Sequence, residues 1–142
     1  MTDVFDVQLE KVPSEEALRT ALASAFDLSD DEIDIQYLDR YDPTAPERKL
    51  FCLIIEGEVG DGVFPTLLTL SLQEERQLES EVAIASKISE ALGMACLISS
   101  GSLYDDDTRF LIRGQEPPKL VLVCEDYDEL NAQYNHYLKE LD

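Results

Sequence analysis

The sequence predicts an α+β domain in which three helices pack on a mostly antiparallel sheet of about six strands, in the order α-β-β-β-α-β-β-β-α. Apolar residues recur at helical spacing in three segments, and strand-length apolar runs fill the intervals between them. These runs come in pairs joined by Gly- or Pro-rich turns, which favours antiparallel hairpins over regular strand–helix alternation. The chain has 142 residues, 44% of them hydrophobic, so a single domain over residues 1–142 can bury a real core.

The first helix is predicted to begin after Ser14, a suitable N-cap, with Glu15 and Glu16 in its first turn. Its apolar stripe consists of Leu18, Ala21, Leu22, Ala25 and Phe26. Ser29 and Glu32, three residues apart, have the form of a capping box, which predicts one short turn after the helix.

Three strands are predicted next. Apolar and polar residues alternate over residues 33–37, as in a half-buried strand. Residues 39–49 form a polar connection that contains two prolines. The continuously apolar run at 51–55 and the alternating run at 63–72 flank a Gly-rich segment at 57–62, so together they predict an antiparallel hairpin.

The second helix is predicted over residues 73–92, and Gly93 can end it in the left-handed conformation. Its apolar stripe includes Val82, Ala85, Ile88 and Leu92. A short strand is predicted at 94–98, followed by a polar loop at 99–107.

The last third of the sequence predicts a second hairpin and a final helix. The apolar runs at 109–113 and 119–124 flank a turn segment at 114–118 that contains two prolines. The helix is predicted from about Asp126, with one apolar face formed by Tyr127, Leu130, Tyr134, Tyr137 or Leu138, and Leu141.

Charge is the strongest compositional feature: 31 Asp and Glu face 11 Lys and Arg, for a net charge of −20. Such a surface disfavours nucleic acid and anionic membranes as partners, and it favours a basic protein partner. The apolar runs are strand-length, well short of the roughly 20 residues of a membrane span. Residues 1–6 are acidic and lack the pattern of a signal peptide, so we expect a cytoplasmic location.

The sequence predicts no enzymatic activity, no cofactor and no metal site. Cys52, Cys96 and Cys124 are an odd set in apolar runs, as buried reduced thiols would be. The only histidine, His136, has no GxSxG nucleophile motif to serve, and the phosphate-binding patterns GxGxxG and GxxxxGKS/T do not occur. The acidic segment that begins at Asp27 lacks the Gly and Glu that a calcium loop needs at its sixth and twelfth positions.

Part of the acidity is explained by helix starts, where each carboxylate stabilises the helix dipole by about 0.3–1 kcal/mol. The acids at the starts of the second and third predicted helices include Glu74, Glu75, Asp126, Asp128 and Glu129. Among the remaining acids, two clusters lie in loops that contain tyrosines; tyrosine supplies rigid contact area, and carboxylates steer a basic partner. The predicted partner-binding residues are Asp30, Asp31, Asp34, Tyr37, Asp39, Tyr41 and Asp42 in the first loop, and Tyr104, Asp105, Asp106 and Asp107 in the second.

The segment from about residue 82 to residue 125 resembles the immunity proteins of bacterial polymorphic and contact-dependent growth-inhibition toxins. The matching text is a helix that ends in residues 89–93, a short strand at 95–98, an acidic loop, and then the runs at 110–114 and 120–123. The resemblance implies a small acidic cytoplasmic protein that binds one cognate toxin domain, often a basic nuclease, and blocks its active site. A monomer is expected in that case, and the resemblance implies no catalytic residues.

Two other classes of binding protein remain as alternatives. Type III secretion chaperones are similar in size, acidity and element order, and that resemblance implies an acidic homodimer that holds an unfolded segment of an effector. The chain lacks their Leu-Gly-Leu-Pro opening after the first helix and their Thr-Gly-Gly stretch after the second. A DNA-mimic inhibitor would need rows of carboxylates at phosphate-like spacing on one face, whereas many acids here fall at helix starts.

Overall fold

The strands of this chain pair into one eight-stranded sheet, and buried and partly exposed residues alternate along several of them. The structure, a computed structural model, describes residues 3–56, 64–73, 81–99 and 108–141. In these ranges the strands are β1 (Asp3–Leu9), β2 (Ile33–Tyr37), β3 (Leu50–Ile55), β4 (Thr66–Leu72), β5 (Cys96–Ser99), β6 (Thr108–Ile112), β7 (Lys119–Asp128) and β8 (Gln133–Glu140). The α-helices are α1 (Glu15–Phe26) and α2 (Glu81–Leu92).

The strands lie in the order β2-β3-β4-β1-β5-β6-β7-β8. All neighbouring pairs are antiparallel except β2 and β3, which are parallel. The predicted α+β class with a mostly antiparallel sheet is confirmed. Because of these directions, β2 and β6 begin, and β5 and β7 end, at the same end of the sheet. We call this the lower end, and the opposite one the upper end.

Both faces of the sheet bury apolar residues. The two helices cover one face, where the main core includes Leu22 of α1 and Ile88 of α2, both fully buried. A smaller cluster lies on the other face, which we call the helix-free face; its buried members are Phe64, Ala95, Leu97, Leu111 and Val121. Cys96 and Leu97 are consecutive in β5, so their side chains point to opposite faces of the sheet. Both are fully buried, because each face is covered at this position.

The first helix forms as the sequence predicts. Ser14 Oγ accepts a hydrogen bond from the Ala17 N–H at 3.1 Å, and Glu15 and Glu16 lie in the first turn. The buried residues are the five of the predicted stripe: Leu18, Ala21, Leu22, Ala25 and Phe26. The helix ends at Asp27, whose φ of 54° is the left-handed conformation of a C-cap.

The second helix is described from Glu81, and the first part of the predicted span, residues 74–80, lies outside the described residues. Gly93 ends the helix with a φ of +68°, as predicted, and its N–H donates to the Ser89 carbonyl at 2.9 Å. The buried Ser89 hydroxyl donates to the Met94 carbonyl at 2.7 Å and accepts from the Gly114 N–H at 2.9 Å. Ser89 therefore ties the end of α2 to the turn between β6 and β7.

The predicted count of three helices and six strands is wrong. The first difference is at the N-terminus, where β1 was not predicted. β1 lies in the middle of the sheet, between β4 and β5, with Phe5 opposite Leu70 and Val7 opposite Leu68. The alternation of Phe5, Val7 and Leu9 is a strand pattern, and all three side chains face the helices.

The predicted C-terminal helix is also wrong, because these residues form β8. β8 pairs antiparallel with β7, from Glu140 opposite Val121 to Gln133 opposite Asp128. Leu138 packs against the cluster on the helix-free face, and this contact together with the β7 ladder overrides the local helical spacing. Asp128 and Glu129 are therefore at a hairpin turn and not at a helix start.

A substitution at Ala132 tests whether this segment is a hairpin or a helix, because the two structures predict opposite changes in the free energy of unfolding. Its φ of 51° is left-handed, which is unfavourable for alanine and free of strain for glycine. We expect Ala132→Gly to raise the free energy of unfolding by about 0.5–1 kcal/mol, measured by urea denaturation. In a helix the same change would lower it by a similar amount, so destabilisation would contradict the hairpin.

Candidate functional site

The connection between β2 and β3 builds the candidate site. Parallel strands cannot be joined by a tight turn, because the first ends at the opposite end of the sheet from where the second begins. The chain returns from the upper to the lower end through residues 38–49, which we call the crossover. The crossover passes over the helix-free face, where the ring of Tyr41 meets the ring of Phe51 edge-on at a centroid distance of 6.0 Å.

Gln36 holds the crossover to the sheet through the backbone of Asp42. The Asp42 N–H donates to Gln36 Oε1 at 2.6 Å, and Gln36 Nε2 donates to the Asp42 carbonyl at 3.2 Å. The Asp42 carboxylate accepts from the hydroxyl and the N–H of Thr44, at 2.6 and 2.9 Å. These two bonds, the hydroxyl first, lower the pKa of Asp42, so this side chain is ionised at neutral pH.

A 3-10 turn at Asp30–Glu32 leads into β2 and confirms the predicted capping box. Lys49 Nζ lies 2.6 Å from Glu32 Oε2, and the Ser29 N–H donates to Glu32 Oε1 at 3.0 Å. Both contacts favour the ionised carboxylate. They lower the pKa of Glu32 to about 2, with Lys49 as the largest cause.

Two arginines bind the carbonyls of this turn. Arg19 Nη1, from α1, donates to the carbonyls of Asp30 and Ile33 at 2.9 and 2.6 Å. Arg48 Nη1, from the crossover, donates to the Asp31 carbonyl at 2.8 Å. The side chains of Asp30 and Asp31 are exposed, so this turn presents two carboxylates to solvent at the lower end of β2.

A pocket of about 210 Å³ lies between the crossover and the helix-free face, and we call it the crossover pocket. Its lining residues include Asp34, Asp42, Glu47, Arg48 and Phe51. It is smaller than the roughly 300–1,000 Å³ of typical small-molecule sites. Three carboxylates against one guanidinium, beside an aromatic ring, suit one Lys or Arg side chain of a partner.

The structure brings together part of the predicted first loop. Asp34, Tyr41 and Asp42 line the crossover pocket, and Asp30 and Asp31 lie in the exposed turn that precedes β2. These five residues belong to one edge of the sheet, formed by β2 and the crossover.

Tyr37 and Asp39 lie away from the pocket. Tyr37 faces the helices and packs against the main core, with its ring centroid 3.9 Å from the Arg40 guanidinium. Burial raises the pKa of the Tyr37 hydroxyl. Asp39 pairs with Arg40 at 3.1 Å and lies at the upper end near Glu56. A role for these two residues in partner binding stays a prediction.

The second predicted loop, with Tyr104, Asp105, Asp106 and Asp107, lies outside the described residues. The strands that flank it are described: β5 ends at Ser99 and β6 begins at Thr108, both at the lower end of the sheet.

The cysteines confirm the prediction of buried thiols at two positions and correct it at the third. Cys52 and Cys96 are fully buried, and Cys124 is only partly buried. Burial raises the pKa of Cys96 to about 12 and also raises the pKa of Cys52, so neither is a thiolate nucleophile at neutral pH. His136 lies in β8 opposite Glu125, and not in a helix as predicted.

The outer part of the β7–β8 hairpin is an exposed surface that was not predicted from the sequence. We call residues 123–138 the arm, because they follow Leu122, the last residue of β7 that pairs with β6 among the described residues. Tyr127, Leu130 and Tyr137 are exposed on it. Asp128 and Asn131, both common turn residues, were the local signal for a hairpin here.

Comparisons of this chain with protein-family models, with curated proteins and with solved structures find no match. Within the described ranges, no three His, Cys, Asp or Glu side chains are grouped so that they could hold a metal ion. Both α-helices there have 12 residues, and neither is long and apolar enough to cross a bilayer.

The lowered pKa of Glu32 makes its contribution to stability depend on pH. The unfolded carboxyl takes up a proton near pH 4.5, whereas the folded one stays ionised to about pH 2. The unfolded state therefore binds more protons in this window, so the stabilisation is complete above about pH 4.5 and is lost as pH falls toward 2.

Comparison with Glu32→Gln isolates this effect from the other acids. We expect the wild type to be more stable than the variant at pH 6, with the difference shrinking between pH 4.5 and 2, in urea denaturation at several pH values. Glu116→Gln, which removes an exposed carboxylate elsewhere, is the control for net charge. A difference that does not change with pH would contradict the role of the Lys49 and Ser29 contacts.

Proposed function

We propose that this chain is a cytoplasmic immunity protein that binds a basic bacterial toxin domain, of the nuclease type, and neutralises it by occlusion with an acidic surface. The observation that carries the proposal is the crossover pocket, whose lining includes three acidic residues and Phe51 and suits a basic side chain. The resemblance of residues 82–125 to immunity proteins supports the same class. The activity proposed is binding, without catalysis.

Two of the three acids of the pocket, Asp34 and Asp42, are held by hydrogen bonds before a partner arrives. Gln36 and Thr44 hold Asp42, and Asp34 Oδ2 accepts from Gln36 Nε2 at 3.1 Å. Binding a Lys or Arg side chain therefore requires little further ordering, which lowers the entropic cost of association.

Charge explains how such binding would inhibit a nuclease. A nuclease cleft carries cationic side chains because it must hold phosphates. An acidic surface over that cleft competes directly with the nucleic acid for the same cations. The net charge of −20 also acts at longer range and can raise the association rate toward about 10⁸–10⁹ M⁻¹s⁻¹ at low salt.

The proposal is tested by removing pocket charges without changing side-chain shape. The variant is Asp42→Asn with Glu47→Gln, and the probe is a basic nuclease-type toxin domain encoded by a gene adjacent to this one. We expect the double variant to bind about 5–10-fold more weakly at low salt, measured by isothermal titration calorimetry. The difference should narrow as salt rises, because the Debye length falls to about 8 Å at physiological ionic strength.

The matched control removes two charges elsewhere. Glu16→Gln with Glu116→Gln changes the net charge equally, and both residues are exposed and outside the pocket. We expect this control to bind close to the wild type. If the two double variants weaken binding equally, the effect is due to net charge and not to the pocket. If the wild type neither binds the toxin domain nor protects cells from it, the proposed function is refuted.

A homodimeric secretion chaperone is the second candidate, and the apolar side chains on the helix-free face favour it. Ile55 and Leu67 are opposite each other on β3 and β4, Leu53 is on the same face, and all three are partly exposed. Multi-angle light scattering separates the two candidates. We expect the mass of one chain for the immunity protein, whereas twice that mass would favour the chaperone.

A further inference from the structure

The arm projects beyond the rest of the described sheet at the lower end. In the described residues, β7 pairs with β6 as far as Leu122, opposite Thr108, and with β8 as far as Asp128, opposite Gln133. The six residues of β7 after Leu122 extend the hairpin by about 20 Å, at about 3.4 Å per residue.

Asp128 organises the tip of the arm, residues 129–132. Its Oδ1 accepts from the N–H groups of Leu130 and Asn131 at 3.0 and 3.4 Å, and Asn131 Nδ2 donates to its Oδ2 at 2.7 Å. These bonds, that of the Asn131 side chain first, lower the pKa of Asp128 and favour its ionised form. The left-handed Ala132 completes the turn. The backbone that carries Leu130 is therefore held in one conformation.

Exposed apolar surface is concentrated on the arm. Of the seven exposed large apolar or aromatic side chains in the described residues, three lie here: Leu130 at 96%, Tyr127 at 54% and Tyr137 at 44% exposed. At 96% exposure, the Leu130 side chain is almost fully open to solvent, so the described part of the fold does not need a leucine at this position. Tyr127 is six residues after Val121, so by strand alternation both lie on the helix-free face, the face of the crossover pocket.

The charge of the arm indicates the chemistry of its partner. Residues 123–138 contain four Asp or Glu and no Lys or Arg. Asp128 and Glu129 directly precede Leu130, so an apolar side chain protrudes beside two carboxylates. The complementary surface is an apolar socket with lysines or arginines around its rim.

We propose that the arm is a second docking element for the basic partner, and that Leu130 inserts into an apolar socket in the partner's cationic cleft. This inference rests on the proposed function. The β2 edge and the arm are six strand spacings apart, about 30 Å at 4.8 Å per spacing. A partner that contacts both sites must span this width, which is similar to that of an interface that buries about 800 Å² on each side.

The test is truncation of Leu130, measured as affinity for the basic toxin domain encoded beside this gene. Leu130→Ala should weaken binding about tenfold or more, as for a central anchor residue, and Leu130→Met should restore most of the affinity. The melting temperature of both variants should equal that of the wild type, because the Leu130 side chain is 96% exposed in the folded protein. Val12→Ala is the control: Val12 is exposed and follows β1 at the upper end, so its truncation should change affinity less than twofold.

The outcomes separate the two proposals. Wild-type affinity in Leu130→Ala, with the toxin domain still bound, overturns the role of the arm and leaves the proposed function intact. Equal weakening by Val12→Ala overturns it as well, because the effect would not be specific to the arm. No binding of the wild type to the toxin domain overturns both. The inference is supported if Leu130→Ala loses affinity, Val12→Ala does not, and Leu130→Met has most of the wild-type affinity.

Discussion

The parallel pairing of β2 with β3 decides where the acidic residues of the first loop lie. A parallel pair leaves the chain at the wrong end of the sheet, so the connection must travel the length of β3, about 20 Å for six residues. The helices already cover one face, and the crossover runs along the other. With twelve residues it is longer than the distance requires, and the excess forms a turn at Asp42 and the pocket beneath it.

The distribution of cations keeps this region acidic. Arg19 and Arg48 donate to backbone carbonyls of the turn before β2, so they support the fold without pairing there with the carboxylates of Asp30 and Asp31. Lys49 is the exception, because it pairs with Glu32. A folded domain with this net charge experiences self-repulsion. Because the two arginines bind carbonyls, they stabilise the turn and leave the carboxylates of Asp30 and Asp31 exposed to solvent.

Local patterns predicted most elements because the local and tertiary preferences agree there. The stripe from Leu18 to Phe26 has a cap at one end and a core beneath it, and the run at 51–55 has β4 beside it. The C-terminal segment differs: Tyr127, Leu130 and Tyr134 satisfy helical spacing equally well, but β7 offers a complete ladder of backbone partners and the helix-free face offers a cluster for Leu138. The pairing of β8 with β7 joins residues as far apart as Val121 and Glu140, and helical spacing contains no information about such a ladder.

The sequence by itself determined the features that depend on neighbours within a few residues. These are the α+β class, the capping of α1, the left-handed end of α2, the two internal hairpins, and the acidic, tyrosine-containing character of the first loop. Only the tertiary structure decided that β1 lies at the centre of the sheet, that β2 is parallel to β3, and that the C-terminus forms an arm. It also separated Asp34, Tyr41 and Asp42 from Tyr37 and Asp39, since alternate residues of a strand face opposite sides and the crossover reaches only one of them.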